Sequence, residues 1–288
     1  MASFDVDGKV ALVTGGARGI GLETARALHR RGAGIAIVDL DADDARAAAA
    51  QLGDGAIGLA ADVTDLAAME LVVEQVVEHF GGLDVVVANA GIAPRPATIR
   101  TLAPARFEQV IEVNVLGVYR TVLAALPHIA ARQGHVVVTA SIYAFSNGVL
   151  MAPYAVSKAG VEQFGRALRT ELAHTGASAS VAYFGHIRTA MTRDAFLEPL
   201  GERLKAASPR WLMAPIGPEA AAAAIVGGIE RRAARIIAPR RWAPLSTLRG
   251  LINPLLDRRA GRHAQIQALV RDADRISSIA NEPTGSPR

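Results

Sequence analysis

The 288-residue chain contains no cysteine. This absence excludes disulfide bonds, thiolate metal ligands and cysteine nucleophiles. Its seven histidines are scattered, and no two of them stand four residues apart beside a carboxylate. We therefore predict no metal site and interpret the histidines as ordinary surface or core side chains.

The sequence also lacks a long uncharged apolar run. Residues 1–10 carry Asp5 and Asp7 and no apolar segment of the kind that a signal peptide contains. No window of eighteen apolar residues is free of charge, so we expect no membrane-spanning helix. The length and a hydrophobic content of 51% favour one large α/β domain, and a cytoplasmic location is expected.

Lysine is scarce, and basic charge is concentrated in one segment. Lys9, Lys158 and Lys205 are the only lysines among 31 basic residues. Between Arg231 and Arg262 nine arginines and one aspartate give a local charge of +8, whereas the whole chain carries +4. Because the rest of the chain is net acidic, the composition argues against nucleic-acid binding by the protein as a whole.

The chemistry of the chain centres on Ser141, Tyr154 and Lys158. The apolar residues of 152–171 recur every three or four positions, which predicts a helix with Tyr154 and Lys158 on one face. Ser141 follows residues 134–140, a β-branched run bounded by glycine that predicts a buried strand. A strand end therefore presents a hydroxyl, while a helix face presents a phenol and an ammonium.

These groups suit proton transfer to or from a carbonyl or alcohol oxygen. A free phenol has a pKa near ~10, so only about 0.1% of it is ionised at pH 7. A cation one helical turn away favours the charged form, and we therefore expect Lys158 to lower the pKa of Tyr154. Ser141 would hold the substrate oxygen. A chance Tyr-x-x-x-Lys spacing is the alternative, and the rarity of lysine argues against it.

A glycine-rich turn joins the first predicted strand to a helical pattern. Gly15, Gly19, Ile20 and Gly21 follow the apolar run 9–14. Glycine lets the backbone approach a ligand, and the unpaired N–H groups of a helix start attract phosphate. The turn predicts a dinucleotide-phosphate site, and a tight turn without a ligand is the alternative.

Asp39 and Arg18 bear on the choice of cofactor. Asp39 ends the second predicted strand, eighteen residues after Gly21, where a carboxylate accepts hydrogen bonds from a ribose diol and repels a 2′-phosphate. A helix-capping role for Asp39 is the alternative. Arg18 could reach a 2′-phosphate, but the repulsion from Asp39 is direct, so we favour NAD over NADP.

Strands and helices alternate along the chain. The predicted strands are residues 9–14, 34–38, 56–61, 83–87, 134–140, 179–183 and 235–238, and the predicted helices are residues 41–52, 64–80, 105–133, 152–171 and 218–232. This alternation predicts a doubly wound, mostly parallel, Rossmann-type sheet with ligands at the carboxyl ends of its strands. Polar residues stand at five of those ends, namely Thr14, Asp39, Asp62, Asn89 and Ser141.

Residues 9–189 resemble the short-chain dehydrogenase/reductase family in its ordinary, non-extended form. The resemblance lies in the glycine turn, Asp62-Val63, Asn89-Ala90-Gly91 and the set Asn114, Ser141, Tyr154 and Lys158. It implies that Tyr154 is the acid/base, that Ser141 orients the substrate oxygen, that Lys158 binds the nicotinamide ribose and that Asn114 holds a water of a proton relay. It further implies that Asp62 and Val63 lie beside the adenine and that Asn89, Ala90 and Gly91 brace the sheet beneath the cofactor.

The sequence departs from the family after the sixth predicted strand. Phe184-Gly185 stands where the family has Pro-Gly, and we expect the ring of Phe184 to add bulk to the pocket wall. Ile187 and Thr189 still match the positions that contact the nicotinamide carboxamide. By the same resemblance the region after Thr189 should form a helical flap over the substrate.

The predicted domain organisation has three parts. Residues 1–240 form the catalytic domain with a flap at 190–213, residues 241–280 a basic, amphipathic helical extension interrupted at Pro254, and residues 281–288 a disordered tail. The apolar flap favours a hydrophobic substrate and is composed of Ala190, Met191, Ala195, Phe196, Leu197, Leu200, Leu204, Trp211, Leu212 and Met213.

The sequence thus predicts an NAD(H)-dependent oxidoreductase that interconverts a hydrophobic secondary alcohol and a ketone or aldehyde. A non-catalytic nucleotide-binding scaffold is the alternative, and a sugar-nucleotide epimerase fits poorly. The resemblance implies a homodimer or homotetramer, with outer-face residues such as Phe107, Val110 and Phe164. Segment 231–262 is interpreted either as a peripheral membrane surface beside Trp242 or as helices packed on the domain.

Overall fold

The computed structural model describes residues 3–196, 199–206 and 210–280. Its centre is a seven-stranded, fully parallel sheet with the strand order β3-β2-β1-β4-β5-β6-β7. The strands are β1 (Val10–Thr14), β2 (Gly34–Asp39), β3 (Ala56–Ala60), β4 (Val85–Ala88), β5 (His135–Ser141), β6 (Ser178–Phe184) and β7 (Arg235–Ala238). The predicted doubly wound fold is confirmed.

Helices cover both faces of this sheet. They are α1 (Gly19–His29), α2 (Ala42–Ala50), α3 (Leu66–Phe80), α4 (Pro104–Ile111), α5 (Gly117–Ala131), α6 (Ala152–Glu171), α7 (Ala190–Phe196), α8 (Pro199–Ala206), α9 (Arg210–Met213), α10 (Pro218–Glu230), α11 (Ala243–Ala260) and α12 (Ala264–Ala280). Strands β1, β4, β5 and β6 are buried along their whole length because both faces of the sheet are covered.

The single long helix predicted for residues 105–133 is divided in the structure. A π-helical turn, Glu112–Leu116, separates α4 from α5. The run Pro104–Ala131 is long and apolar enough to cross a membrane by length and composition, although a core helix passes the same test. This run packs against α3 and α6 and buries Val118, Val122 and Ile129, so it is a core helix in the structure.

The predicted flap, residues 190–213, forms three short helices, α7 to α9. The predicted break at Pro254 is wrong, because α11 continues through this residue and ends only at Ala260. The helix tolerates the proline at the loss of one backbone hydrogen bond. The predicted tail, residues 281–288, lies outside the described residues.

Side-chain hydrogen bonds hold α11 to the body of the protein. Arg249 donates hydrogen bonds of 2.8 and 2.6 Å to the two carboxylate oxygens of Glu162, a buried residue of α6. Asn253 Nδ2 donates to the carbonyl of Phe145 at 2.9 Å. A further hydrogen bond joins α12 to the loop after β4, where Thr98 Oγ1 donates to Asp274 at 2.6 Å. The C-terminal helices are therefore fixed beside the ends of β5 and α6.

Candidate active site

The structure brings Ser141, Tyr154 and Lys158 together at the carboxyl end of the sheet. Ser141 is the last residue of β5, and the other two lie in the first turns of α6. Ser141 and Tyr154 line a cavity of about 570 Å³. Lys158 lies behind them, 4% exposed, with its Nζ 5.5 Å from the Tyr154 ring centroid and 2.8 Å from the carbonyl oxygen of Thr139, to which it donates.

The electrostatics of this cluster differ from the expectation. Burial raises the pKa of Tyr154 to about 12, whereas its hydrogen bond with Ser141 acts in the opposite direction and Tyr143 adds to the rise. Burial also lowers the pKa of Lys158 to about 8. The expected depression of the Tyr154 pKa by Lys158 is absent, because the ammonium faces Thr139 and the ring rather than the phenol oxygen.

Asn114 lies in the π-helical turn and is completely buried. Its Oδ1 accepts from the N–H of Ile92 at 2.8 Å, and its Nδ2 donates to the Ile92 carbonyl at 2.9 Å and to Ser157 Oγ at 3.0 Å. The side-chain amide therefore ties the loop after β4 to α6, beside Lys158. Its role in holding a water stays a prediction.

The glycine turn between β1 and α1 is packed too tightly for side chains. Gly15 has φ +60° and Gly19 has φ +59°, a backbone region that favours glycine. A Cβ on Gly21 would lie 2.1 Å from the Gly15 carbonyl oxygen, and one on Gly15 would lie 2.9 Å from Cα of Ala90. The three predicted glycines thus form one compact turn against the segment after β4.

Helix α1 begins at this turn without a side-chain cap. Arg18 is its N-cap residue, and the Arg18 side chain forms no capping hydrogen bond. The first N–H groups of the helix, including those of Gly19 and Ile20, have no acceptor within the helix. A free helix start and a glycine cradle fit the pyrophosphate of a dinucleotide.

Asp39 borders the same turn. Its Oδ2 accepts from the N–H of Ala17 at 3.0 Å, and its Oδ1 accepts from the N–H of Leu40 at 2.9 Å. The carboxylate is therefore held at the turn and not at a helix start, where Asp41 is the N-cap residue of α2 instead. Arg18 is exposed, and its side chain forms no hydrogen bond or ion pair within the described part of the chain.

The Asn89 side chain joins two strand ends beneath the glycine turn. Its Nδ2 donates to the carbonyls of Thr14 and Gly15, both at 3.1 Å. Thr14 Oγ1 accepts in return from the N–H groups of Asn89 and Ala90, at 3.1 and 3.2 Å. A Cβ on Gly91 would lie 3.0 Å from Asn114 Oδ1, so this segment also contacts the catalytic side.

Asp62 and Val63 lie at the end of β3. The exposed Asp62 carboxylate accepts from the N–H and hydroxyl of Thr64, at 2.8 and 2.7 Å, in a local turn. Val63 is buried against Gly117, where a Cβ would come 2.7 Å from its Cγ2. Contact of these two residues with adenine stays a prediction.

The loop after β6 returns to the glycine turn. A Cβ on Gly19 would lie 3.4 Å from Thr189 Cγ2, so two predicted cofactor residues meet. Thr192 fixes this loop, because its hydroxyl donates to the Ile187 carbonyl at 2.5 Å and accepts from the N–H of Thr189 at 3.0 Å. Thr192 was not predicted from the sequence, because no motif distinguishes it from other threonines.

The expected place of Phe184 in the pocket wall is wrong. Phe184 is 4% exposed and packs in the core beneath α10, and only its carbonyl faces the site, where it accepts from Ser141 Oγ at 3.2 Å. Trp242 occupies the wall instead. It is 4% exposed, and a Cβ on Gly185 would come 2.5 Å from its Nε1.

The flap contributes to the cavity only in part. Met191, Leu204, Leu212 and Met213 line it, whereas Trp211 is 66% exposed. Leu200 is buried against α12, and the side chains of Ala195, Phe196 and Leu197 lie outside the described ones. Side chains that the sequence analysis missed complete the lining, among them Tyr143, His186, Trp242, Leu256, Arg259, His263 and Ile266.

Comparison with known proteins gives a consistent result. The profile of the short chain dehydrogenase family matches residues 9–199. L-fucose dehydrogenase of Bos taurus is 33% identical over 202 residues, which are 70% of this chain and 71% of that protein. The 3-oxoacyl-(acyl-carrier-protein) reductase of Escherichia coli K12 is 35% identical over 191 residues, or 66% of this chain and 78% of the relative.

A solved structure agrees with the fold. The short chain dehydrogenase/reductase of Burkholderia phymatum, solved in complex with NAD, superposes with a TM-score of 0.76 at 23% identity. The match covers 85% of this chain and 93% of that one.

Proposed function

The chain belongs to the short-chain dehydrogenase/reductase family and is therefore an oxidoreductase acting on CH–OH groups; we propose that it uses NAD(H) and interconverts a hydrophobic secondary alcohol with its ketone or aldehyde. The observation that carries this proposal is the cavity in which Ser141 and Tyr154 face a largely apolar lining. The glycine turn and the free start of α1 fit the cofactor.

The residues of the chain supply the proton and position the substrate. Bound nicotinamide supplies or accepts a hydride. A protonated Tyr154 donates its proton to a substrate carbonyl oxygen, and its phenolate accepts the proton in the reverse direction. Ser141 can donate its hydroxyl proton to the same oxygen once it leaves the Phe184 carbonyl. Lys158 lies behind Tyr154, where it would bind the nicotinamide ribose; its ammonium donates to the Thr139 carbonyl and does not lower the pKa of Tyr154.

The preference for NAD rests on Asp39. Its carboxylate lies at the glycine turn through its bond to the N–H of Ala17, where a 2′-phosphate would meet negative charge. The exposed Arg18 can turn into solvent. The Burkholderia phymatum neighbour is described in complex with NAD, which supports a nicotinamide cofactor.

The decisive experiment compares Tyr154→Phe with the wild type on a panel of hydrophobic secondary alcohols, with NADH production as the readout. We expect turnover to fall by about 10²–10⁴-fold, since the variant lacks the proton carrier. NADH binding, measured by fluorescence titration, should be nearly unchanged. A variant that keeps more than a third of the wild-type kcat would show that the role of Tyr154 is wrong.

The wild type gives a second outcome in the same experiment. If it binds NADH but oxidises no alcohol and reduces no ketone of the panel, the non-catalytic scaffold replaces the proposed enzyme. No feature of the described residues favours that scaffold. Ser141 and Tyr154 line one cavity and Lys158 lies directly behind them, which is the arrangement that catalysis requires.

Peripheral membrane contact through residues 231–262 is a narrower proposal. Its support is the exposure of Leu248, Leu251 and Leu255 on α11. Trp242 and Arg249 are not part of such a surface, because the former is buried and the latter pairs with Glu162. A cytoplasmic location likewise stays a prediction.

Liposome co-sedimentation tests the membrane proposal. The Leu251→Ser/Leu255→Ser variant should lose salt-sensitive binding to vesicles that contain phosphatidylglycerol, since it loses the apolar face. Leu71→Ser, on the exposed side of α3, is the matched control. Equal sedimentation of all three proteins would contradict membrane contact through α11.

A further inference from the structure

The C-terminal helices form part of the wall of the substrate cavity. Leu256 and Arg259 of α11, His263 of the following turn and Ile266 of α12 all line it. These residues lie beyond residues 9–199, the part of the chain that matches the family. The segment therefore gives the cavity a wall that the family motifs do not specify.

The polar groups of the cavity lining include several donors and positive charges. Arg259 and Lys205 line the cavity, and neither side chain forms a hydrogen bond or ion pair within the described residues. His263 has a buried Nδ1 that finds no partner in the same part of the chain. Asp257 is the one carboxylate among the described lining residues, and it accepts a hydrogen bond from Asn147 Nδ2 at 2.9 Å.

Most of the cavity lining is apolar. Met151, Leu212, Met213 and Leu245 line the cavity, whose volume of about 570 Å³ is typical of a small-molecule site. Leu256, Asp257 and Arg259 are exposed as well as lining, so they border its opening. A molecule that fills the cavity therefore meets the hydroxyls of Ser141 and Tyr154, a mostly apolar lining and, at the opening, the guanidinium of Arg259, which is unpaired among the described residues.

We propose that the substrate is an amphipathic carboxylate, a hydroxy or oxo acid whose reacting carbon lies at Ser141 and Tyr154 and whose carboxylate is bound by Arg259. Lys205 adds positive charge, and His263 Nδ1, in its protonated tautomer, adds a donor. The inference rests on the proposed function and deepens it. An anion satisfies donors that are otherwise unpaired, and an arginine–carboxylate pair is strengthened by partial removal from water.

A binding measurement tests this without turnover. The chain has two tryptophans, so Trp211→Phe leaves Trp242, in the cavity wall, as the sole reporter of fluorescence. In this background decanoate and its neutral ester, methyl decanoate, are titrated as probes. We expect the carboxylate to bind about tenfold more tightly than the ester, and added salt to weaken only the carboxylate.

Two further variants in the same background locate the anion. Arg259→Gln should reduce the preference for decanoate to less than threefold. Arg258→Gln, an exposed neighbour that does not line the cavity, should keep it. Equal binding of acid and ester, binding of neither probe, or a preference that survives Arg259→Gln would overturn the proposal.

The outcome is separable from that of the proposed function. A decanoate preference in a protein that turns over no alcohol would retain this proposal and refute the catalytic one. Turnover of neutral alcohols by a protein with no such preference would retain the catalytic proposal and refute this one.

Discussion

Burial sets the protonation of the reactive residues. The pKa of Tyr154 is raised to about 12 and that of Lys158 is lowered to about 8, and in both cases desolvation is the largest cause. The phenol of this structure is therefore protonated at neutral pH, which is the form that donates to a carbonyl. His186, another lining residue, stays neutral because burial, followed by the charge of Lys205, lowers its pKa to about 4.

Asp39 gives a prediction on cofactor choice. Asp39→Ala should raise kcat/KM for NADP(H) relative to NAD(H) by about tenfold, since it removes the repulsion and leaves Arg18 free to pair with the 2′-phosphate. Asp39→Asn is the control, because it removes the charge and keeps an acceptor for the N–H of Ala17. Equal kcat/KM values for the two cofactors in the wild type would contradict the assignment.

His135 gives a prediction on pH. It is fully buried at the start of β5, its ring nitrogens lie 2.7 Å from the hydroxyls of Ser178 and Ser180, and burial lowers its pKa to about 3. The unfolded chain, with a histidine pKa of about 6.5, binds the proton more readily. Stability from His135 is therefore complete above pH 6.5 and is lost as the pH falls from 6.5 towards 3.

Urea unfolding at pH 7 and pH 5 measures this effect. The wild type should lose about 2 kcal/mol more than His135→Gln over that interval. His174→Gln, in the exposed turn after α6, is the control and should follow the wild type. A pH dependence that His135→Gln leaves unchanged would show that another group is responsible.

At the scale of elements, the position of α11 depends on its pairing with α6. Two hydrogen bonds join Arg249 to Glu162, whose side chain is 7% exposed. Arg241 has a similar role, because it donates to the carbonyls of Leu212 and Ala214 at the end of the flap. These arginines of the basic segment therefore stabilise the cavity wall rather than forming a free cationic surface.

The ion pair gives a prediction on stability. Arg249→Met should lower the free energy of unfolding by about 2–3 kcal/mol, because it leaves Glu162 buried without its partner. Arg258→Met, on the exposed side of the same helix, should change it by less than about 0.5 kcal/mol. Urea unfolding measures both variants. Similar free energies of unfolding for the two variants would mean that the ion pair contributes nothing to stability. The double variant Arg249→Met/Glu162→Met should regain most of the stability that Arg249→Met loses.

At the scale of the whole molecule, apolar side chains remain exposed on α5, α6 and the π-helical turn. Leu116, Tyr119, Leu123 and Val156 are 37%, 45%, 37% and 51% exposed, respectively. Val110, which the sequence analysis placed on an outer face, is completely buried. Phe107 and Phe164, the other two residues expected there, are partly exposed, so only Val110 is excluded from a surface that a second copy would cover.

We predict a homodimer or homotetramer that uses this face. Tyr119→Asp/Leu123→Asp should shift the protein towards the monomer in light scattering at micromolar concentration, because burying the two carboxylates is unfavourable. Leu71→Asp, equally apolar and exposed on α3, should leave the assembly intact. A monomeric wild type would contradict the prediction.

The sequence by itself determined the features that depend on local spacing. The glycine turn, the strand ends at Thr14, Asp39 and Ser141, and the helical interval between Tyr154 and Lys158 were all predictable. They depend on backbone geometry and on a period of 2 or 3.6 residues, which neighbouring side chains do not change. The fully parallel sheet followed from the alternation of its strands and helices.

The tertiary structure decided which side chains face the core, the cavity or solvent. Val110 lies before the π-helical turn and faces the core, whereas Leu116 and Tyr119 lie within and after the turn, whose extra residue shifts the exposed face away from the regular helical period. The cavity is also lined by Trp242, Arg259 and His263, which are about a hundred residues from Ser141 in the chain. They reach the cavity only because the C-terminal part of the chain, with α11 and α12, folds back over the end of β5. Local periodicity shows that a face is apolar or charged, whereas the element packed against it is fixed only when distant parts of the chain meet.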